Sequence, residues 1–326
     1  MMDQTRRHFA RLLAVASAAS VLPLRAQQQP EYPSRPIRYV VPFPAGGLTD
    51  VMARMVAQKL TESLKQPVVV DNKPGANANL GADIVAKASA DGYTWLAVTL
   101  THAVNPALFP ALPYSLDKNL TAVAHLATSP LVLVVNASTP VKNLREFLER
   151  AQGRSLSGGS SGNGTPPHLG LELFAGSAKL NFLHVPYKGG TPSLNDLMGG
   201  QIEFIVSNLP ECSALVKAGK LRALAITSLT RHAVLPDVPT FTELGLADVV
   251  LENWTGLMMP AGTPAQVVDK VAQQAIRAVT APDVSERLGT LGFSVTGLGP
   301  TEFAAILQRD MARWREVVKA RRIHAD

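Results

Sequence analysis

Two loops of this chain combine glycine with small polar residues in a way that could bind an anion. The first is PFPAGGLTD, at residues 42–50, where two glycines permit close approach of the backbone and the last two residues can cap a following helix. The second is SGGSSGNGTPPHL, at residues 157–169, where hydroxyl groups precede two prolines typical of a helix's first turn. Neither loop contains Lys or Arg. Because helix N-termini carry partial positive charge, the two loops together predict a carboxylate site built from N–H and hydroxyl donors.

The sequence of the second loop is also compatible with a second function, that of a serine hydrolase. Residues 158–162 fit the G-x-S-x-G pattern with Ser160 in the nucleophile position, and Asp237 and His324 follow in the required order. A nucleophile elbow, however, needs a helix directly after the second glycine, whereas Asn-Gly and Pro-Pro pairs delay the helix here. The glycine run of an oxyanion hole is also missing. We therefore favour ligand binding without catalysis and keep the hydrolase as the alternative.

Other classes of site lack their residue patterns. The first loop has neither the lysine of a phosphate-binding loop nor the spacing of a dinucleotide fingerprint, so we expect no cofactor. The single cysteine, Cys212, rules out an intramolecular disulfide and cysteine-rich zinc sites. His102 and His168 have no metal-ligand spacing around them, so we expect no metal. Residues 1–26, with four arginines and one aspartate, contribute half of the net charge of +6, so we expect no nucleic-acid partner.

The elements that must position these loops alternate between strands and helices. Short apolar runs predict strands at residues 37–41, 68–70, 93–99, 131–135, 182–185, 202–206, 221–227 and 254–259. Apolar residues at helical spacing predict helices that begin near Thr49 and span 81–88, 143–151, 264–279, 283–291 and 301–318. Alternation of this kind implies an α/β fold of mainly parallel sheets flanked by helices.

At 326 residues the chain exceeds one ordinary core, which favours two lobes. The chain crosses between them near residues 135 and 251, so we expect lobe 1 to comprise 27–135 and 251–326, and an inserted lobe 2 to comprise 136–250. Ligands of such sheets bind where strand C-termini meet helix N-termini. Polar groups at those edges give the candidate ligand-binding residues Thr49, Asp50, Asn79, Thr101, His102, Ser160, Ser161, Thr165, His168, Tyr187, Lys188 and Ser207, and the loop glycines Gly46, Gly47 and Gly164 allow the backbone to approach a ligand.

The first 26 residues have the sequence pattern of an export signal. A charged start with the pair Arg6-Arg7 precedes a short apolar run, as in a twin-arginine signal peptide. Cleavage near Ala26 would leave a mature protein in the periplasm.

The chain resembles the Bug-type solute receptors of tripartite tricarboxylate transporters over nearly all of its mature length. The matching segments are YPSRPI at 32–37, VPF at 41–43 with Gly46, Gly47 and Asp50, VDNKPGA at 70–76, ADGYT at 90–94, HAVNP at 102–106, GNGT at 162–165, HVPYKG at 184–189, GGQ at 199–201, LPDVPT at 235–240 and PAGTP at 260–264.

The resemblance implies a two-lobed periplasmic-binding-protein fold of type II, a bound small carboxylate and delivery to a membrane permease. It also implies that the carboxylate is held by the first glycine loop and the facing serine-threonine loop, at Ala45, Gly46, Gly47 and Thr49 and at Ser160, Ser161, Gly164 and Thr165. We expect a monomer. A periplasmic sensor that reports to a signalling partner stays open as an alternative, and so does the identity of the carboxylate.

Overall fold

A computed structural model describes residues 31–321 and 323–324 of the chain. The predicted signal peptide, residues 1–26, lies outside the described residues. From Arg35 onwards the described residues form one compact unit. None of the described helices is both long enough and apolar enough to cross a bilayer.

The strands and helices overlap every one of those predicted from the sequence. The strands are β1 (Ile37–Val41), β2 (Val68–Asn72), β3 (Thr94–Thr99), β4 (Leu120–Asn136), β5 (Leu156–Ser160), β6 (Phe182–Pro186), β7 (Phe204–Asn208), β8 (Leu221–Ile226), β9 (Glu252–Pro260) and β10 (Ser294–Leu298). The helices are α1 (Leu48–Leu64), α2 (Asn79–Ala86), α3 (Leu100–Leu108), α4 (Leu116–Asn119), α5 (Leu144–Ala151), α6 (Pro166–Ala178), α7 (Gly190–Met198), α8 (Leu209–Lys217), α9 (Ala265–Thr280), α10 (Pro282–Leu291) and α11 (Pro300–Arg321).

The long strand β4 belongs to two groups of paired strands. Its first part pairs with β9 and β10, and β9 continues to β3, β1 and β2. Its last part pairs with β7 and β8, and β7 continues to β5 and β6. The α/β architecture is therefore as predicted, with helices between the strands.

The expectation of mainly parallel sheets needs a correction. Strand β1 is parallel to β2 and β3, and β5 is parallel to β6 and β7. All the pairs that involve β4 or β9 are antiparallel. Helical crossovers return the chain so that consecutive strands run the same way. Strand β4 instead leads the chain from the first group of strands into the second, and β9 leads it back. Strands β4 and β9 therefore run in opposite directions.

The glycine-serine run also differs from its prediction as a loop. Its first residues, 157–160, form most of β5, whose glycines are buried. A Cβ added at Gly158 would lie 2.8 Å from the ring of Phe204, and one at Gly159 would overlap Ile202. Glycine here makes room for large side chains, and the Phe204 ring packs edge-on against Phe147, 5.3 Å between centroids. The strand β10 and the first part of β4 were not predicted.

Candidate functional site

The turn from β1 into α1 is held in shape by Asp50. Gly46 has φ +82, in the left-handed region that favours glycine. Its N–H donates to Oδ2 of Asp50 at 2.9 Å, and the Asp50 carboxylate also accepts from Arg54 Nε and Asn72 Nδ2, each at 2.9 Å. Burial raises the pKa of Asp50, but the bonds from Arg54, Gly46 and Asn72 outweigh it and hold the pKa below its ordinary value.

Beside this turn lies a cavity of about 60 Å³, here called the inner chamber. It is lined by residues in the first turns of five of the described helices, together with neighbouring loop residues. The helix residues are Gly47, Leu48 and Thr49 for α1, Thr99 and Thr101 for α3, Thr165–Pro167 for α6, Gly189–Pro192 for α7, and Asn208 and Glu211 for α8. The others are Phe43, Pro44, Ala45, Ser161, Lys188 and Asn253.

A larger cavity, the outer chamber, adjoins the inner one. Its volume is about 780 Å³, and its walls are residues 42–44, 74–78, 161–163 and 186–189 with Phe109. The two chambers share the lining residues Phe43, Pro44, Ser161, Lys188 and Gly189. The two chambers therefore meet at these five residues.

The structure separates the predicted site residues into two groups. The inner chamber is lined by Ala45, Gly47, Thr49, Thr101, Ser161, Thr165 and Lys188, and the outer chamber by Ser161, Tyr187 and Lys188. Neither chamber is lined by Gly46, Asp50, Asn79, His102, Ser160, Gly164, His168 or Ser207.

Several of the predicted residues that line neither chamber are hydrogen-bonded to other parts of the protein. Asn79 Oδ1 accepts hydrogen bonds from Asn105 Nδ2 and the Tyr114 hydroxyl, each at 2.8 Å. The Nδ1 atom of buried His102 lies 3.1 Å from the backbone N of Thr99. Burial lowers the pKa of His102 to about 4, so its ring is neutral at neutral pH.

Donors of the serine-threonine loop are engaged within that loop. The Thr165 hydroxyl donates to the carbonyl oxygen of Gly162 at 2.6 Å and accepts from the Ser161 hydroxyl at 3.1 Å. The Gly164 N–H donates to His168 Nδ1 at 3.0 Å. Two prolines at the start of α6 supply no N–H. These donors are therefore already bonded within the protein, and ligand binding by this loop stays a prediction.

Ser160, the nucleophile of the hydrolase alternative, has a histidine partner. Its Oγ lies 2.7 Å from His184 Nε2 and also accepts from the Gly162 N–H at 3.1 Å. His184 stacks on His168 with 3.9 Å between ring centroids, and burial together with His168 lowers the pKa of His184 to about 3. Such a histidine is a weak general base. Ser160 itself is only 1% exposed and lies outside both chambers.

Other residues that line the inner chamber carry donors without a partner among the described residues. The hydroxyl oxygens of Thr99 and Thr101 are buried without a hydrogen-bond partner in the described part of the chain. The N–H groups of Gly47 and Thr49, at the start of α1, make no hydrogen bond to any residue that the structure describes. Buried hydroxyls are normally bonded, and the first N–H groups of a helix have no partner within it, so these four groups are the candidate donors of the site. The sequence indicated Thr101 but not Thr99.

Glu211 is the main site residue that the sequence analysis missed. Its Oε1 accepts the Leu48 N–H at 3.2 Å, and its Oε2 accepts Asn208 Nδ2 at 3.0 Å. Burial raises the pKa of Glu211, although the bonds from Asn208 and Leu48 oppose that rise. The sequence analysis named Ser207 after the strand at 202–206, and extending the same reasoning by one helical turn would have included Glu211.

Comparison with known proteins gives consistent matches. Residues 52–323 match the family described as tripartite tricarboxylate transporter family receptor. Protein BugT of Bordetella pertussis is 35% identical over 318 residues, which cover 95% of this chain and 97% of BugT. Rpa4515 of R. palustris, solved with adipate, is 33% identical with a TM-score of 0.87, and the match covers 90% of this chain and 99% of that one. MatC of Rhodopseudomonas palustris, solved with bound malate, is 34% identical with a TM-score of 0.84 over 88% of this chain and all of that one.

Proposed function

Because the chain belongs to the family of tripartite tricarboxylate transporter receptors, we propose that it captures a small carboxylate with the inner chamber. The resemblance to Bug-type receptors and the two-lobed solute-binding fold are confirmed. The observation that carries the proposal is the convergence of five helix first turns on one cavity.

Helix N-termini explain how the site can bind an anion with few cations. A helix N-terminus carries a partial charge of about +0.5 and stabilises an anion by about 0.3–1 kcal/mol, or up to about 2 kcal/mol when partly buried. Several termini around one cavity therefore suffice for a carboxylate. Lys188, an exposed residue where the two chambers meet, is the one Lys or Arg in the described lining of the inner chamber. The unpartnered donors of Gly47, Thr49, Thr99 and Thr101 supply direct hydrogen bonds.

The size of the inner chamber limits what it can hold. One water-sized probe needs about 10–15 Å³, so a cavity of about 60 Å³ has room for a carboxylate and the few atoms next to it. We propose that this head group lies in the inner chamber and that the rest of a longer ligand extends into the outer chamber of about 780 Å³. Two relatives were solved with adipate and malate, both small carboxylates, which supports the ligand class.

Capture without chemistry is the proposed role. The buried Ser160 hydroxyl, bonded to Gly162 and lying outside both chambers, supports binding rather than hydrolysis. We further propose that the chain is exported to the periplasm with cleavage near Ala26. There the lobes comprising 27–135 with 251–326, and 136–250, would close on the ligand and deliver it to a membrane permease.

Native mass spectrometry of the exported protein, followed by calorimetry, tests this function. The first method identifies the co-purified ligand, and the second compares that acid with its carboxamide. Amidation removes charge-assisted hydrogen bonds, so we expect affinity to fall about 10- to 100-fold. Equal affinity for the acid and the amide would reject carboxylate capture.

A further inference from the structure

Glu211 places a carboxylate of the protein itself among the helix N-termini of the inner chamber. It accepts hydrogen bonds from the N–H of Leu48 at the start of α1 and from the side chain of Asn208. It also packs directly on Gly190, the first residue of α7, where a Cβ would overlap the carboxylate. The carboxylate is therefore a fixed part of the chamber wall.

A chain of amide hydrogen bonds fixes Glu211 as an acceptor. The backbone N–H of Trp254, which can only donate, donates to Asn253 Oδ1 at 2.9 Å. Asn253 Nδ2 then donates to Asn208 Oδ1 at 3.0 Å, which directs Asn208 Nδ2 towards Glu211. Each amide orientation follows from the one before it. Both oxygens of Glu211 thus receive donors, as suits the ionised form.

The carboxylate of Glu211 is partly buried in the wall of the chamber. Among residues 31–321 and 323–324, no Lys, Arg or His forms an ion pair with Glu211. Even partial removal of a carboxylate from water is unfavourable unless it is paired, and each of its oxygens can accept a further hydrogen bond. Independently, the unpartnered hydroxyls of Thr99 and Thr101 line the same chamber. Apart from the exposed Lys188, the described lining of the chamber contains no cation, so Glu211 and these hydroxyls keep hydrogen-bonding capacity that a ligand can use.

We propose that Glu211 selects a ligand that carries a protonated amino group in addition to its carboxylate. This inference rests on the proposed capture of a carboxylate. It specifies the class of ligand as an amino acid or a related zwitterion. The ammonium group pairs with Glu211, while the carboxylate binds the helix N-termini and hydroxyls. A ligand with two carboxylates and no amine is disfavoured, because it brings a second negative charge close to Glu211.

Titration calorimetry on the mature protein tests the proposal with matched probes. Each set contains an amino acid, the same acid without its amino group, and the carboxamide: glycine, acetate and glycinamide; alanine, propanoate and alaninamide; 4-aminobutanoate, butanoate and 4-aminobutanamide; leucine, 4-methylpentanoate and leucinamide. We expect an amino acid to bind about 10- to 100-fold more tightly than its des-amino partner. Glu211→Gln should abolish that preference. Glu252→Gln, which makes the same change of net charge outside both chambers, should keep it.

The outcomes separate this inference from the proposed function. Des-amino acids that bind as tightly as the amino acids, or a preference that survives in Glu211→Gln, overturn the role of Glu211 while carboxylate capture stands. A panel in which no amino acid binds also overturns it. Carboxamides that bind as tightly as the amino acids overturn carboxylate capture instead. The comparison of probes on the parent protein decides the question even if Glu211→Gln does not fold.

Discussion

The two adjacent glycines of the first loop give a matched pair of substitutions with opposite expected effects. Gly46 has φ +82, and a Cβ there would meet no atom within 4 Å, so the cost of Gly46→Ala is that of the backbone alone. A left-handed residue with a side chain costs about 1–2 kcal/mol. Gly47 has φ −81, which any residue adopts, and its Cβ would lie 3.7 Å from Glu211 Oε1 and from the Pro44 carbonyl oxygen. The backbone conformation that requires glycine is therefore at position 46, whereas position 47 is restricted only by the space around it.

We expect Gly46→Ala to lower the free energy of unfolding by about 1–2 kcal/mol and Gly47→Val, at the N-cap of α1, to lower it by no more than about 1 kcal/mol. Gly47→Val should nevertheless abolish ligand binding, because its methyl groups enter a cavity of about 60 Å³. Denaturant unfolding and calorimetry with the co-purified ligand measure the two effects. If Gly47→Val binds like the parent, or Gly46→Ala is as stable as the parent, the geometry assigned to this loop is refuted.

Three further substitutions test separate parts of the account. Thr101→Val should lower ligand affinity by about 0.5–1.5 kcal/mol, whereas Thr255→Val, which removes another buried unpartnered hydroxyl outside both chambers, should not change it; equal calorimetric effects would contradict the assignment. Asp50→Asn should destabilise the protein by about 1–3 kcal/mol at neutral pH. Because the folded state lowers the pKa of Asp50, its contribution is present above the unfolded pKa and lost as pH falls through the folded one. The difference between parent and variant should therefore begin to shrink below about pH 4 and vanish once the pH is below the folded pKa. A difference in urea unfolding that does not shrink as the pH falls below about 4 would count against this role. Ser160→Ala should lower stability by about 1–2 kcal/mol by removing bonds inside its loop, and neither protein should hydrolyse model esters; turnover by the parent that the variant lacks would reveal an enzyme.

The sequence predicts the elements of this fold better than the partners of its polar groups. Apolar periodicity located β1 and α1 closely, because each is set by residues adjacent in the chain. The run at 157–160 was wrongly assigned to a loop, because a series of glycines and serines is typical of loops. The large side chains that pack against its glycines, such as Phe204, come from distant positions in the chain.

The candidate site shows the same division. The glycine turn at 42–50 was found because its pattern is local. Sequence could not show that the Gly46 N–H is bonded to Asp50, or that Glu211 reaches the start of α1 from a distance of 163 residues along the chain. Such contacts depend on how the strand groups are arranged, which no spacing in the chain encodes.

A crystal structure of the protein with its co-purified ligand tests the central claim most directly. The account predicts a carboxylate in the inner chamber, within about 3.2 Å of the Gly47 or Thr49 nitrogen and of the Thr99 or Thr101 hydroxyl oxygen. A ligand whose carboxylate contacts none of these atoms, or one held only by Lys188 and the outer chamber, would contradict it.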